Sequence, residues 1–398
     1  MTGRRLLRTG GIAATVGVLA VTVALPAQPA HAAGCEPARV VREVPWAQRM
    51  LAPERVWPLS TGDGVTVAVL DSAVDTSHPQ LRGRVSALVN YLGAPPTSCV
   101  PHGTSVASII NASRMADVGF QGLAPQARVL PVRVTDRGPD GAGQAADVTA
   151  FATAIRTAAS RARVINISLV MRQDDPRVRA AIEDAIKADV VVVAAAGNGH
   201  PTNAGDTTVD PPVYPAAYPG VLGVGAINED GTRLPESQVG AYVDIVAPGG
   251  KVLAATPGSG HIEVSGTSYA APFVAATVAL VRSARPQLSG PEVVNRIIAT
   301  ATPARNGPGF GAGIVDPYRA VTEEALFGGQ AATLPGASVN QVDPVRQART
   351  EHWQRLGHVS LLIGGLGLAL VTALAFSAWL IRGGRRLRWR PTRASRPE

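Results

Sequence analysis

The feature that most constrains the fold is a series of short, uninterrupted apolar runs that alternate with helical patterns. None of these runs shows the polar–apolar alternation of a strand with one face in water. Strands that are apolar on both faces are typical of a parallel sheet covered by helices on both sides. The predicted strands are residues 65–70, 129–134, 164–169, 190–195, 221–225 and 243–246. The predicted helices are residues 104–111, 145–162, 177–188, 268–284 and 291–300. The sequence therefore predicts one α/β domain with a doubly wound, mostly parallel sheet over residues 62–325.

Two further segments, at the ends of the chain, have the composition of export and membrane sequences. Residues 1–33 contain three arginines, an apolar stretch and the small-x-small sequence Ala30-His31-Ala32, which together are typical of a cleaved signal peptide. An uncleaved anchor is the alternative. Residues 359–381 are 23 residues without a charge. At about 1.5 Å per residue this segment is long enough to span a bilayer, so the sequence predicts one transmembrane helix there, with a buried core helix as the alternative.

The charge of the chain is concentrated in these ends. The formal net charge is +8, and seven arginines follow residue 381. Basic residues beside a membrane helix favour the cytoplasmic side, so residues 382–398 are predicted to be a cytoplasmic tail and the main domain to lie outside the cell membrane. The rest of the chain is close to neutral, which argues against binding of nucleic acid. Residues 34–61 are then an N-terminal extension, and residues 326–358 are a linker rich in small and polar residues.

The chain has two cysteines, Cys35 and Cys99, and both fall in the part predicted to be exported. An even number of cysteines in an oxidising compartment predicts a disulfide. Two alternatives stay open at this stage. Cys35 resembles a lipid attachment site, although the usual leucine is missing before it, and both cysteines could be free thiols.

Three side chains of complementary chemistry follow predicted strands or begin predicted helices. Asp71 directly follows the run VTVAVL, His102 opens a helix, and Ser268 begins a long apolar helix. Sites in open α/β sheets lie where strands end and helices begin. A serine hydroxyl needs a base to become a nucleophile, and the imidazole needs a carboxylate to orient it. Asn198 follows the strand VVVVAAAG, and its amide could donate a hydrogen bond to a developing oxyanion.

These residues lie in motifs that resemble those of the subtilase family. The matching segments are Asp71-Ser72-Ala73-Val74, His102-Gly103-Thr104, Ala195-Ala196-Gly197-Asn198 and Gly266-Thr267-Ser268-Tyr269-Ala270-Ala271-Pro272. The order Asp, His, Ser is also that of subtilisin. The resemblance implies a subtilisin-like fold and a serine endopeptidase that acts on polypeptides and needs no cofactor. It implies the triad Asp71, His102 and Ser268, with Asn198 as the oxyanion donor. It also implies a substrate cleft whose walls are Ser168-Leu169-Val170 and Ala195-Ala196-Gly197.

A narrower resemblance is to the mycosins, the membrane-anchored subtilases of type VII secretion systems. It is carried by residues 45–57, by a cysteine just after the signal peptide, and by the C-terminal apolar segment with its arginines. It implies a location in the cell membrane beside a type VII secretion complex, and an N-terminal extension that stays attached through Cys35 and Cys99. The alternative function is a scaffold or assembly factor of that complex, with catalysis secondary.

Three residues depart from the subtilase pattern. Ala73 and Pro101 stand where glycine is common, and strain is expected at Ala73 if its φ is positive. Val170 stands where many subtilases have glycine in the wall of the cleft, which predicts a restricted cleft.

His78 is interpreted as a structural, hydrogen-bonding histidine. No group of histidines and acids has the spacing of a metal site, so no metal is predicted.

Overall fold

The protein is described by a computed structural model that covers residues 35, 38–93, 99–136, 143–202, 208–304 and 307–323. Its centre is a seven-stranded parallel sheet with the order β2-β3-β1-β4-β5-β6-β7. The strands are β1 (Thr66–Asp71), β2 (Val89–Asn90), β3 (Arg128–Arg133), β4 (Val164–Ile167), β5 (Val191–Ala195), β6 (Leu222–Ile227) and β7 (Ile245–Pro248). A separate antiparallel hairpin joins β8 (Val252–Ala255) to β9 (His261–Val264).

Helices cover both faces of this sheet. They are α1 (Trp46–Leu51), α2 (His102–Asn111), α3 (Val148–Ala159), α4 (Pro176–Lys187), α5 (Thr267–Ala284), α6 (Gly290–Ala299) and α7 (Pro317–Thr322). Successive side chains of a strand point to opposite faces. Val67 and Val69 of β1 therefore pack in the core with α2 and α5, while Ala68 and Leu70 pack in the core with α3 and α4. This two-sided burial is why the strands are continuously apolar.

The predicted elements are confirmed, with ends that differ by a few residues. The largest difference is at α3, which begins at Val148 because the side chain of Asp147 caps it and accepts from the main-chain N–H of Ala150. Five of the elements given above had no strong pattern and were not predicted. They are α1, α7, β2, β8 and β9.

The N-terminal extension packs on the same compact unit as the sheet. The main-chain N–H of Ala38 donates to the carbonyl of Ser259 at 2.8 Å, and that of His261 donates to the carbonyl of Arg39 at 3.0 Å. The predicted disulfide between Cys35 and Cys99 is present. The extension is therefore an integral part of the folded unit.

The remaining predicted segments lie outside the described residues. They are the signal peptide at 1–33, the linker at 326–358, the transmembrane helix at 359–381 and the basic tail at 382–398. Within the described ranges, no helix combines the length and the apolar character needed to cross a bilayer.

Candidate active site

The carboxylate of Asp71 and the imidazole of His102 form the best-defined polar pair of the site. Asp71 is the last residue of β1 and is completely buried, and His102 is the first residue of α2. The two are joined by a hydrogen bond of 2.7 Å between Nδ1 of His102 and Oδ1 of Asp71. Since a carboxylate can only accept, Nδ1 carries the proton and Nε2 is left as the base.

The surroundings of His102 favour its protonated form. Burial lowers the pKa of His102, but the charge of Asp71 and the hydrogen bond to it act in the opposite direction and outweigh burial. The pKa of His102 is therefore raised above 6.5. The ring of Tyr269 lies 4.9 Å from the imidazole, centroid to centroid, and covers part of it. This environment stabilises the imidazolium that forms when His102 accepts a proton.

Glycine at position 103 allows α2 to approach the end of β1. A Cβ on Gly103 would collide with the main-chain carbonyl of Ser72. The same approach lets the main-chain N–H of Gly103 donate to Oγ of Ser72 at 2.9 Å. At the next residue, Oγ1 of Thr104 accepts from the main-chain N–H of Asp75 at 2.9 Å. The histidine motif and the aspartate motif are thus held against each other by the residues that follow each of them.

Ser268 lies in the first turn of α5 and is 8% exposed. The first N–H groups of a helix have no partner inside the helix, so they can donate to a negative charge beside this serine. Gly266 caps the helix with a φ of 138°, a conformation that favours glycine. A Cβ at this position would lie only 2.9 Å from Nδ2 of Asn198.

Proline is well tolerated in the first turn of a helix, but Pro272 lies in the second turn of α5, because the helix begins at Thr267. As proline has no N–H, it cannot donate to the carbonyl four residues earlier, which is that of Ser268. That carbonyl instead accepts from Oγ of Ser168 at 2.8 Å. The proline therefore leaves the serine carbonyl available to a side chain of the cleft wall.

The amide of Asn198 is oriented by the first residue of α5. Its Oδ1 accepts from the main-chain N–H of Thr267 at 2.9 Å and from Oγ1 of Thr267 at 3.0 Å. Oγ1 of Thr267 in turn accepts from the main-chain N–H of Gly197 at 3.0 Å. With Oδ1 occupied in this way, Nδ2 is left to donate elsewhere, as an oxyanion donor requires.

One cavity of about 1050 Å³ brings these groups together. Its lining includes His102, Ser268, Asn198 and the predicted wall residues Ser168, Leu169, Val170, Ala195 and Gly197. Ala196 is fully buried and is not part of the lining. In the described part of the chain no hydrogen bond joins His102 to Ser268, and such bonds often form only when a substrate is bound.

The three departures from the subtilase pattern have different structural consequences. Ala73 is absent from the residues of positive φ, so the strain expected there is not present. Pro101 caps α2 in a helical conformation and its carbonyl accepts from Ser105, so it continues the helix geometry. Val170 is 43% exposed and lines the cavity, and the restriction of the cleft by its side chain stays a prediction. His78 is buried and accepts from the main-chain N–H of Gln80, which fits a structural role.

The comparison with known proteins decides the family. The subtilase family matches residues 62–317 of the chain. The chain belongs to the subtilase family. M-protease from Shouchella clausii is 36% identical over 280 residues, which cover 70% of each protein. Subtilisin Savinase from Lederbergia lenta is 36% identical over 278 residues, which cover 69% of this chain and 97% of that protein. The protein is accordingly a serine endopeptidase with a subtilisin-like α/β fold.

Among solved structures, the chain is similar to mycosins. The MycP3 protease from the type VII (ESX-3) secretion system is 34% identical, with a TM-score of 0.62 over 73% of this chain and 91% of that one. MycP1 from Mycobacterium smegmatis is 31% identical, with a TM-score of 0.61 over 73% of this chain and 88% of that one. The resemblance to mycosins seen in the sequence is thus supported by the structure.

Several residues that position the site were not predicted from the sequence. Three of them act by fixing a neighbouring residue. Oγ of Ser72 accepts from the main-chain N–H of Gly103, and Nδ2 of Asn166 donates to Oγ of Ser168 at 2.9 Å. Oγ1 of Thr267 donates to Oδ1 of Asn198. Thr267 could have been found, because it stands inside the serine motif. Asn166 gave a weaker signal, as a polar residue inside the apolar run of β4.

Proposed function

We propose that the protein is a membrane-anchored, extracytoplasmic endopeptidase that acts beside a type VII secretion system. The single observation that carries the enzymatic part is one cavity lined by His102, Ser268 and Asn198, with the buried Asp71 bonded to His102. A serine nucleophile, an oriented base and an amide donor beside a helix N-terminus are the groups that acyl transfer requires.

In the proposed reaction, Oγ of Ser268 attacks the carbonyl carbon of a peptide bond while Nε2 of His102 takes its proton. The negative oxygen that forms accepts from Nδ2 of Asn198 and from the main-chain N–H of Ser268. His102 then gives the proton to the leaving amine, which leaves an acyl-enzyme. A water molecule, deprotonated by His102, attacks the acyl carbon; the bond to Oγ of Ser268 breaks, Oγ takes the proton back from His102, and the new carboxyl end of the peptide is released. Asp71 keeps the imidazole in the tautomer that this sequence of transfers needs.

The enzymatic assignment is tested by covalent labelling with a serine-directed fluorophosphonate. The wild-type chain should be labelled and should hydrolyse peptides, and Ser268→Ala should do neither. Ser283→Ala is the matched control, because this half-buried serine lies on the same helix outside the cavity. Labelling that persists in Ser268→Ala would refute the assignment of the nucleophile.

The membrane part of the proposal is supported by residues 359–381, which carry no charge, and by the arginines that follow them. A chain that stops at residue 355 should leave the membrane fraction and appear outside the cell with its peptidase activity intact. Retention of the shortened chain in membranes would show that another segment holds it there.

The secretion part is supported by the similarity to MycP1, one structure of which describes an essential component of the type VII (ESX-1) secretion system. An assembly role beside catalysis is therefore the second candidate function. If the fold also braces the complex, deletion of the gene should abolish secretion while Ser268→Ala changes only substrate processing. Equal loss of secretion in both strains, at normal protein level, would instead assign the whole function to catalysis.

A further inference from the structure

The carboxamide of Gln238 is an unused polar group inside the cavity. Gln238 is 8% exposed and lines the same cavity as Ser268 and Asn198. Within the described residues its side chain makes no hydrogen bond, although both its oxygen and its nitrogen can form two. Both amide atoms remain accessible to water in the cavity, so a group that fills the cavity can replace water as their partner.

The main chain around Gln238 is fixed on both sides. Its N–H donates to the carbonyl of Gly197 at 3.0 Å. The N–H of the next residue, Val239, donates to Oδ2 of Asp210 at 2.7 Å, and the N–H of Asp210 donates back to the carbonyl of Val239 at 2.7 Å. Nδ1 of His200 donates to the same Oδ2 at 2.7 Å, and His200 is itself buried. The buried His200–Asp210 pair therefore holds the segment that carries Gln238.

The carboxamide lies next to the group proposed to bind the oxyanion. A Cβ on Gly197 would collide with Oε1 of Gln238 and would lie 3.5 Å from Cγ2 of Val213. Gly197 immediately precedes Asn198, so Gln238 and Val213 together close the cavity beside the oxyanion donor. When Asn198 binds the carbonyl oxygen of a peptide, the side chain of that same residue is expected to enter this end of the cavity, because Gly197 and Asn198 are adjacent in the chain.

We propose that Gln238 selects the residue whose carbonyl is attacked, and that this residue has a short, neutral, hydrogen-bonding side chain, namely serine, threonine or asparagine. The proposal rests on the proposed peptidase activity and goes beyond it by naming the substrate class. Val213 at the closed end leaves little depth for a long side chain. Asp210, which also lines the cavity, disfavours a side chain with a negative charge. The carboxamide favours a hydroxyl or an amide over an apolar group of the same shape, because only the former satisfies it.

The test compares peptides that differ only in threonine or valine at this position, because the two side chains have nearly the same shape. The full wild-type chain, purified in detergent, should cleave the threonine peptide with a kcat/KM about tenfold higher, the effect of one well-made hydrogen bond. Gln238→Met keeps the length of the side chain but removes its hydrogen bonds, so it should bring the ratio close to one. Gln126→Met, at an exposed glutamine outside the cavity, should leave the ratio unchanged.

Two measurements separate this proposal from the one on which it rests. Fluorophosphonate labelling reports the nucleophile alone, so an unlabelled wild type would reject the peptidase assignment itself. If the wild type is labelled but cleaves both peptides equally, the role of Gln238 is rejected and the peptidase assignment stands. An unchanged preference for threonine in Gln238→Met, with normal labelling, would likewise reject it. A wild-type ratio close to one rejects the role of Gln238 even if Gln238→Met does not fold.

Discussion

Removal of the hydroxyl of Ser168 should weaken both the fold and the reaction. This hydroxyl donates to the carbonyl of Ser268 at 2.8 Å and accepts from Nδ2 of Asn166 at 2.9 Å. All three residues are buried. Pro272 offers no N–H to the same carbonyl, so Ser168→Ala leaves it without a donor inside the helix. The substitution thus affects the main chain of the proposed nucleophile without touching its hydroxyl.

The size of the effect follows from the groups left without partners. A buried polar group that loses its hydrogen bond costs about 1–3 kcal/mol, and Ser168→Ala creates two such groups. We expect the free energy of unfolding to fall by at least about 2 kcal/mol, which corresponds to roughly 5 °C in melting temperature for a domain of this size. Loss of the bond that fixes Ser268 should also slow the reaction about tenfold, or about 1.4 kcal/mol of the activation barrier.

The assay measures melting temperature and the rate of fluorophosphonate labelling on the same samples. Ser108→Ala is the matched control, because Oγ of this buried serine donates to the carbonyl of Ser105 at 2.7 Å and accepts from the N–H of Ala255 at 2.9 Å. It should lose a similar amount of stability without a comparable loss of labelling rate.

A second substitution tests the reason for the effect. Pro272→Ala restores an N–H that can donate to the carbonyl of Ser268, so the double variant Ser168→Ala/Pro272→Ala should recover part of the labelling rate. Equal losses of rate in Ser168→Ala and Ser108→Ala, with no recovery in the double variant, would refute the argument.

Three further predictions concern the base His102, the cleft residue Val170 and the buried His261 of β9. Because His102 must be neutral to accept a proton, kcat/KM should fall as the pH decreases through a midpoint above 6.5, since Asp71 raises the pKa of His102 against the effect of burial; Asp71→Asn should lower both that midpoint and the rate, and an unmoved midpoint would contradict this. Val170→Gly should widen the range of side chains accepted before the cut bond, as read from a peptide library, and an identical profile would reject the restriction. Burial and the nearby His78 lower the pKa of His261 to about 4, so between about pH 6.5 and 4 the folded protein binds fewer protons than the unfolded one. Its free energy of unfolding should therefore fall as the pH decreases in that window, and His261→Gln should flatten this slope in denaturant titrations.

Much of the site was predictable because the residues that carry its chemistry lie in short sequence motifs. Asp71, His102, Asn198 and Ser268 each stand where a strand ends or a helix begins, and such positions can be read from local patterns. Six of the seven strands of the central sheet were predictable for a similar reason, since burial on both faces leaves a continuous apolar run. The exception is β2, which has only two residues and is not buried. The helix α1 and the hairpin of β8 and β9 were missed because short elements held by tertiary contacts leave little periodicity.

By itself, then, the sequence determined the α/β fold class, the members of the proposed triad and the two cysteines available for pairing. Only the tertiary structure decided how distant segments support one another. Ser168 reaches the carbonyl of Ser268 across 100 positions of the chain, and Gln238 closes a cavity whose wall is Gly197. A polar residue in a single sequence does not show which partner it meets, because that partner is brought near by the packing of the whole sheet and its helices.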